Sequence, residues 1–242
     1  MTQPDAVADI LRSVHADVPS LDGVSVPLRL ARDATATLPV DGAAVTWMTD
    51  RGPGPTLAAT DRSARILEEL QFDLGEGPCI DSSEARHPIL RPDLAERGAD
   101  RWPGFTAGAL DAGIRAVFAF PLQIGRIRVG VLDLYRGTSG PLDSSEVLTA
   151  LSYAGAATSV LLDLQAEREP IGAPGTDADF DPEGRTEFSD RAEVHQATGM
   201  VAVQAGVDLE TALVLLRASA FASDRPLSVV AHDVVTRRVR FP

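Results

Sequence analysis

The stretch Arg115–Tyr135 reads RAVFAFPLQIGRIRVGVLDLY and holds the clearest pair of strands in the chain. Arg115 to Gln123 and Arg128 to Tyr135 are rich in Val, Phe, Leu and Tyr, the residues that suit a pleated, half-buried surface. They flank Ile124-Gly125-Arg126, a tight turn, so the pair reads as an antiparallel hairpin. In the second run Val129, Val131, Asp133 and Tyr135 alternate with Arg128, Gly130, Leu132 and Leu134. A strand presents two such sets to opposite faces.

Working outward, Asp41 to Thr49 (DGAAVTWMT) and Pro55 to Thr60 (PTLAAT) flank Arg51-Gly52-Pro53-Gly54 and form a second hairpin. Pro88 to Leu90 is a further short strand. Helical spacing runs through Ala6–Ala16 and Val26–Leu38, where Pro27 belongs to the first turn. It recurs in Asp61–Gln71, with Ala64, Ile66, Leu67 and Leu70 apolar and Asp61 as N-cap, and in Trp102–Ala112. Gly75 to Ser83 (GEGPCIDSS) reads as a loop. Ser144 to Glu167 is a long helix, capped by Asp143 or Ser144. Its stripe of Val147, Leu148, Leu151, Ala154, Ala157, Val160, Leu161 and Leu164 is wide enough for a sheet and a partner helix. Pro170 to Arg185, rich in Pro, Gly and Asp, reads as a linker. Val194 to Ala231 holds three short amphipathic helices. The expected fold class is α+β: an antiparallel sheet flanked by helices, followed by a small all-α three-helix domain. The expected boundaries are an N-terminal helix in 1–24, a sensor domain in 25–168, a linker in 169–185 and a helical domain in 186–242.

Composition bounds the function. The 242 residues suffice for two domains. No stretch reaches the ~18–20 continuous apolar residues of a membrane span, and Met1 to Ile10 lacks the pattern of a secretory signal. The single cysteine, Cys79, fits a reducing cytoplasm, and the expected location is cytoplasmic. The net charge of -13 argues against nucleic-acid binding by the whole surface. That charge is uneven: Thr186 to Pro242 carries seven acids and six arginines, a net of -1, which leaves -12 for the rest. Arg237, Arg238 and Arg240 make the extreme end locally basic.

Three segments carry a resemblance. LEELQFDLGEGPCIDS (Leu67–Ser82), GIRAVFAFPL (Gly113–Leu122) and GVLDLYR (Gly130–Arg136) resemble a GAF domain, and more narrowly the GAF domains of actinobacterial GAF–ANTAR regulators. The C-terminal segment resembles the ANTAR RNA-binding domain of transcription antiterminators. Asp190 with Glu193 gives a capping-box-like start to its first helix. Gln196-Ala197-x-Gly199-Met200-Val201 matches the first-helix signature, whose small residues let helices approach. Gly206 ends that helix and Asp208 caps the next. Ala212, Leu216, Arg217 and Ala220 match the second helix; Arg225, Leu227, Val230 and Ala231 match the third, with Pro226 in its first turn. Thr198 stands where the family usually has lysine, which removes a cation.

The resemblance implies a sensor that binds a small ligand and an output domain that, paired in a homodimer, holds twin hairpin loops of a nascent transcript. Arg217 and Arg225 are the expected phosphate or base contacts, with Gln196 and Thr198 as polar contacts. Helices 144–167 and 6–16 are the expected dimer contacts. The ligand is unknown, and Gly75, Glu76, Gly77 and Cys79 mark the candidate ligand loop. Acids at Asp73, Glu76 and Asp81 point to a structural rather than a reactive Cys79. The four histidines have no ligand spacing, so no metal site is expected. No nucleophile–base arrangement is present, which points away from an enzyme. Two other readings stay open. One is a GAF ligand-binding or dimerisation protein whose ANTAR domain is degenerate and makes protein contacts. The other is a DNA-binding helix-turn-helix regulator, disfavoured because Leu227 to Val235 is mostly apolar.

Overall fold

The computed structural model describes residues 3–16, 25–49, 52–167 and 182–241. The chain divides into two compact units, residues 1–72 with 76–179 and residues 73–75 with 180–242. The first unit carries α1 (Gln3–Ala16), α2 (Val26–Thr37), β1 (Gly42–Thr49), β2 (Gly52–Ala59), α3 (Arg62–Leu74), α4 (Pro78–Ala85) and β3 (Ile89–Arg91). It continues with α5 (Leu94–Arg101), α6 (Pro103–Asp111), β4 (Ala116–Ile124), β5 (Ile127–Arg136) and α7 (Ser144–Glu167). The second carries α8 (Pro182–Ala205), α9 (Leu209–Ala222) and α10 (Leu227–Val235).

The five strands form one sheet in the order β2-β1-β5-β4-β3, with every neighbouring pair antiparallel. The quoted stretch is its central hairpin: Ile124 pairs with Ile127 across Gly125-Arg126, and Gly125 takes φ 56, a left-handed angle that glycine adopts at little cost. Alternation then assigns the faces. Ala43, Leu134 and Phe118 lie in one cross-strand row, and Val45, Leu132 and Phe120 in the next. These rows join Leu30, Ala31 and Ala34 of α2 and Ala154, Ala157 and Leu161 of α7 in the main core. Each fully buried Leu or Phe there contributes roughly 1.5–3 kcal/mol of apolar burial. The opposite face carries Ala44, Asp133 and Ala119 in register, then Thr46, Val131 and Pro121.

Helix α7 can lie close on the sheet because Gly130 has no side chain. A Cβ there would stand 2.8 Å from a Leu161 methyl and 2.6 Å from the Thr46 carbonyl oxygen. The expected stripe of α7 is largely buried, but Leu148 is 60% exposed. Ser144–Ala166 is long and apolar enough to cross a membrane by composition, yet half of that apolar window is buried inside the structure. Its apolar side chains serve the sheet and α1, whose Val7 would meet a Cβ on Gly155 at 3.0 Å.

Local signals place the connecting helices. Asp61 caps α3 by accepting from the Ala64 N–H at 2.9 Å, as its position predicts. Tyr135 donates to the same carboxyl oxygen at 2.9 Å, and burial, ahead of the Asp61 hydrogen bond and charge, pushes its phenol up to about 12. Two expectations change. The segment read as a loop contains α4, which starts with Pro78 in its first turn after Gly77 at φ 141. The single helix expected at 102–112 is α6, and a separate α5 precedes it, capped by Asp93 accepting from Ala95 N–H at 2.9 Å. Gly98 lets the two pack, since a Cβ there would sit 2.7 Å from Thr106 Oγ1.

In the second unit, α8 begins at Pro182 and runs through Asp190 and Glu193, so the expected capping-box start falls inside the helix. Residues 182–185 of the linker expected at 169–185 fall in α8, and residues 168–181 lie outside the described ones. Gly206 at φ 65 ends α8, and the Asp208 carboxylate accepts from Thr211 N–H at 2.7 Å to cap α9. Pro226 is the N-cap residue of α10, one position earlier than expected. The core of this unit is Val194, Ala197, Val201, Ala212, Leu216, Leu227, Val230, Ala231 and Val234. Phe221 is 77% exposed because its place on α9 falls outside the buried Ala212–Leu216–Ala220 stripe. Ala197 is buried, but a Cβ on Gly199 would meet nothing within 4 Å, so no close helix approach depends on that glycine.

Candidate functional site

Two regions gather chemistry, one in each unit. In the first, the face of the sheet opposite α7 holds a buried polar network. Thr46 on β1 donates to Glu68 Oε2 on α3 at 2.5 Å. Gln71, one turn further along α3, donates through Nε2 to Asp133 Oδ2 on β5 at 3.2 Å and, more weakly, to Glu68 Oε1 at 3.5 Å. Gln71 Oε1 accepts from the backbone N–H of Cys79 on α4 at 2.7 Å. Thr46, Gln71 and Cys79 are 0% exposed, Asp133 1% and Glu68 2%. Burial first, then the neighbouring charge of Glu68, hold the Asp133 carboxyl well above the usual carboxylate range. Two ionised carboxylates this deep repel strongly, which disfavours the doubly charged pair.

Residues of the expected ligand loop shape this network. Gly77 is required twice over: its φ is 141, and a Cβ would stand 2.7 Å from Gln71 Oε1. Glu76 Oε1 accepts from Phe105 N–H at 2.9 Å, which satisfies the first turn of α6. Gly75 turns the chain at φ 69. Asp81 accepts from Trp102 Nε1 at 3.1 Å and also pairs with Arg101. Glu76 and Asp81 are thus engaged elsewhere, and the acids near Cys79 in space are Glu68 and Asp133. Sequence spacing missed them; the signal was a carboxylate in the middle of an apolar strand, GVLDLY.

In the second unit the expected RNA-facing residues lie on three elements. Gln196 is exposed on α8. Arg217 is half-buried on α9. Arg225, in the turn before α10, donates to Asp233 Oδ2 at 2.5 Å, and Arg238 reaches the other oxygen of that carboxylate at 3.4 Å. The structure therefore brings Arg225 together with Arg238, next to exposed Arg237 and Arg240. The Arg225 hydrogen bond, ahead of that from Arg238, draws Asp233 below its ordinary value. Thr198 is 5% exposed, and its hydroxyl donates back to the Val194 carbonyl at 2.7 Å. That bond uses its only donor inside the helix, so it presents no polar group on the surface. Glu193 and His232 link α8 to α10 at 2.9 Å, and Phe241 N–H donates to Gln204 Oε1 at 2.9 Å.

Residues 184–235 match the family model of the ANTAR domain. The sheet-bearing unit is similar in fold to the GAF domain of an Acinetobacter phosphoenolpyruvate-protein phosphotransferase. That likeness has a TM-score of 0.50 at 10% identity and covers 69% of this chain and 98% of that one. It is similar to the same extent to the GAF domain of a phosphoenolpyruvate-protein phosphotransferase from Coxiella burnetii, with a TM-score of 0.50 at 14% identity, covering 68% and 95%. No curated protein matches the chain by sequence. The chain thus joins a five-stranded antiparallel sheet of GAF-like fold to C-terminal helices of which residues 184–235 match the ANTAR domain.

Proposed function

We propose that the chain is a cytoplasmic, signal-responsive RNA-binding regulator that acts as a transcription antiterminator. The observation that carries the proposal is the ANTAR match over 184–235, which falls on the compact three-helix unit. The GAF-like unit would sense a small ligand. Two copies would pair through α7 and α1, and the exposed Leu148 of α7 supports that face. Twin C-terminal units would then hold two hairpin loops of one transcript, with Arg217, Gln196 and the Arg225–Arg238 group at the nucleic acid. Cations supply backbone affinity, and polar groups read unstacked bases.

A second reading has its own support. Thr198 is buried where the resembling family has a lysine, and Arg225 is held by Asp233. An ANTAR domain that lost its cations would serve protein contacts instead. Electrophoretic retardation of a twin-hairpin RNA by the full chain, across a salt series, separates the two. The RNA-binding reading expects retention at low salt, with log affinity falling at a slope of roughly -0.7 per phosphate contact, and a smaller slope for Arg217→Ala. No retardation at low salt by a folded, dimeric sample would establish the second reading.

A further inference from the structure

The buried network on the face of the sheet opposite α7 has a feature that its hydrogen bonds leave unexplained. Glu68 has both oxygens near a polar neighbour, Oε2 accepting from Thr46 and Oε1 more weakly from Gln71, and Asp133 Oδ2 accepts from Gln71. The other oxygen of Asp133, Oδ1, is buried and meets no donor at standard hydrogen-bond geometry; besides Gln71, the side chains that act on this carboxyl are those of Glu68 and Cys79. A buried carboxylate oxygen left unpartnered costs roughly 1–3 kcal/mol or more, and native structures leave few such atoms without a ligand. Beside it lies a sulfur. One carboxylate oxygen of Glu68, one of Asp133 and the Cys79 Sγ all fall within 4.8 Å of one another.

We propose that Glu68, Cys79 and Asp133 form a buried binding site for one divalent transition-metal ion of the zinc and ferrous-iron class. The donors of a tetrahedral ion bound at about 2.0–2.3 Å lie roughly 3.3–3.8 Å apart. The three groups need to close by less than about 1.5 Å, which side-chain rotation supplies. A thiolate beside two carboxylates selects a borderline-soft cation over magnesium or calcium, which prefer all-oxygen shells. Thr46 and Gln71 orient the donors from outside, as the polar partners of metal ligands do, and Gln71 also holds the Cys79 backbone.

Charge fits as well. Three anionic donors against a divalent ion leave one excess negative charge, and Cys79 stands in the first turn of α4, where the helix dipole favours it. On binding, the thiol proton and any proton held on the two carboxyls pass to solvent, and the sulfur and oxygen lone pairs go to the metal. Three protein donors leave a fourth position for water or an exchangeable small ligand. The proposal deepens the sensor half of the functional reading and rests on that half alone; it does not need RNA binding.

The test uses the full chain, stripped by a chelator under reducing conditions, with Co²⁺ as the optical probe and Zn²⁺ as its competitor. The expected result is one Co²⁺ per chain, with thiolate-to-cobalt charge-transfer absorption in the near ultraviolet that Zn²⁺ abolishes by displacement. Cys79→Ser should remove that band, and Asp133→Asn should weaken Co²⁺ binding by about 10-fold or more. X-ray absorption of the zinc-loaded wild-type protein needs no variant and should show one sulfur and otherwise oxygen neighbours. A folded wild-type chain that binds no Co²⁺, a band that survives Cys79→Ser, or a zinc shell without sulfur each overturns the site. RNA affinity measured with and without Zn²⁺ is a separate reading: a metal that binds and leaves RNA affinity unchanged sinks its role in sensing, not the site.

Discussion

Gly77 shows how one residue can shape a site without touching a ligand. Its φ of 141 is open to glycine alone, and Gln71 Oε1 fills the space a side chain would take. Gly77→Ala should therefore cost about 1–3 kcal/mol, read as a lower denaturation midpoint with an unchanged slope. Asp233 carries the pH dependence of the other unit. Its carboxyl lies below its ordinary value because Arg225, then Arg238, stabilise the charged form. The stability this adds is present above the unfolded carboxylate value and is lost as pH falls through the lowered folded value. Hydrogen exchange of Leu227–Val235 should accelerate in that acid window in the wild type. Asp233→Asn should exchange faster at neutral pH and show little further change on acidification. Equal pH dependence in both proteins would remove Asp233 from this role.

At the scale of elements, the α7 stripe makes two positions that look alike in sequence behave differently. Leu161 is fully buried against Gly130 and the sheet, whereas Leu148 is 60% exposed. Leu161→Ala should destabilise by about 2–5 kcal/mol, and Leu148→Ala by no more than about 0.5 kcal/mol in a monomer. A chemical denaturation series compares them; a large loss for Leu148→Ala confined to a dimeric sample would support the proposed pairing. Period-2 and period-3.6 patterns made most of the strands, α1 to α3 and α7 legible in the sequence, because those elements bury one face; the exception is the start of β2, where Gly52-Pro53-Gly54 reads as a turn but pairs with β1. Helices α4 and α5 were not legible. The first is hidden by Gly75, Gly77 and Pro78, which suit a loop equally well, and the second buries little besides Leu94 and Gly98. The Glu68–Asp133–Cys79 cluster was out of reach for another reason. Its members come from α3, β5 and α4, and only the sheet register brings Asp133 beside Ala44 and beneath Gln71.

At the scale of the whole molecule, a strongly acidic sheet unit is joined to a nearly neutral helical one, so any nucleic-acid contact belongs to the second. The ANTAR match covers 184–235, and the exposed cations of that unit cluster near Asp233 and at the chain end. The measurement that meets the central claim most directly is photo-cross-linking of the full chain to a twin-hairpin RNA carrying 4-thiouridine in its loops, with the cross-linked peptides identified by mass spectrometry. The account predicts cross-links confined to peptides of α8, α9 and α10 and to the arginines that follow. Cross-links confined to the sheet-bearing unit, or none at low salt from a folded dimer, would contradict it.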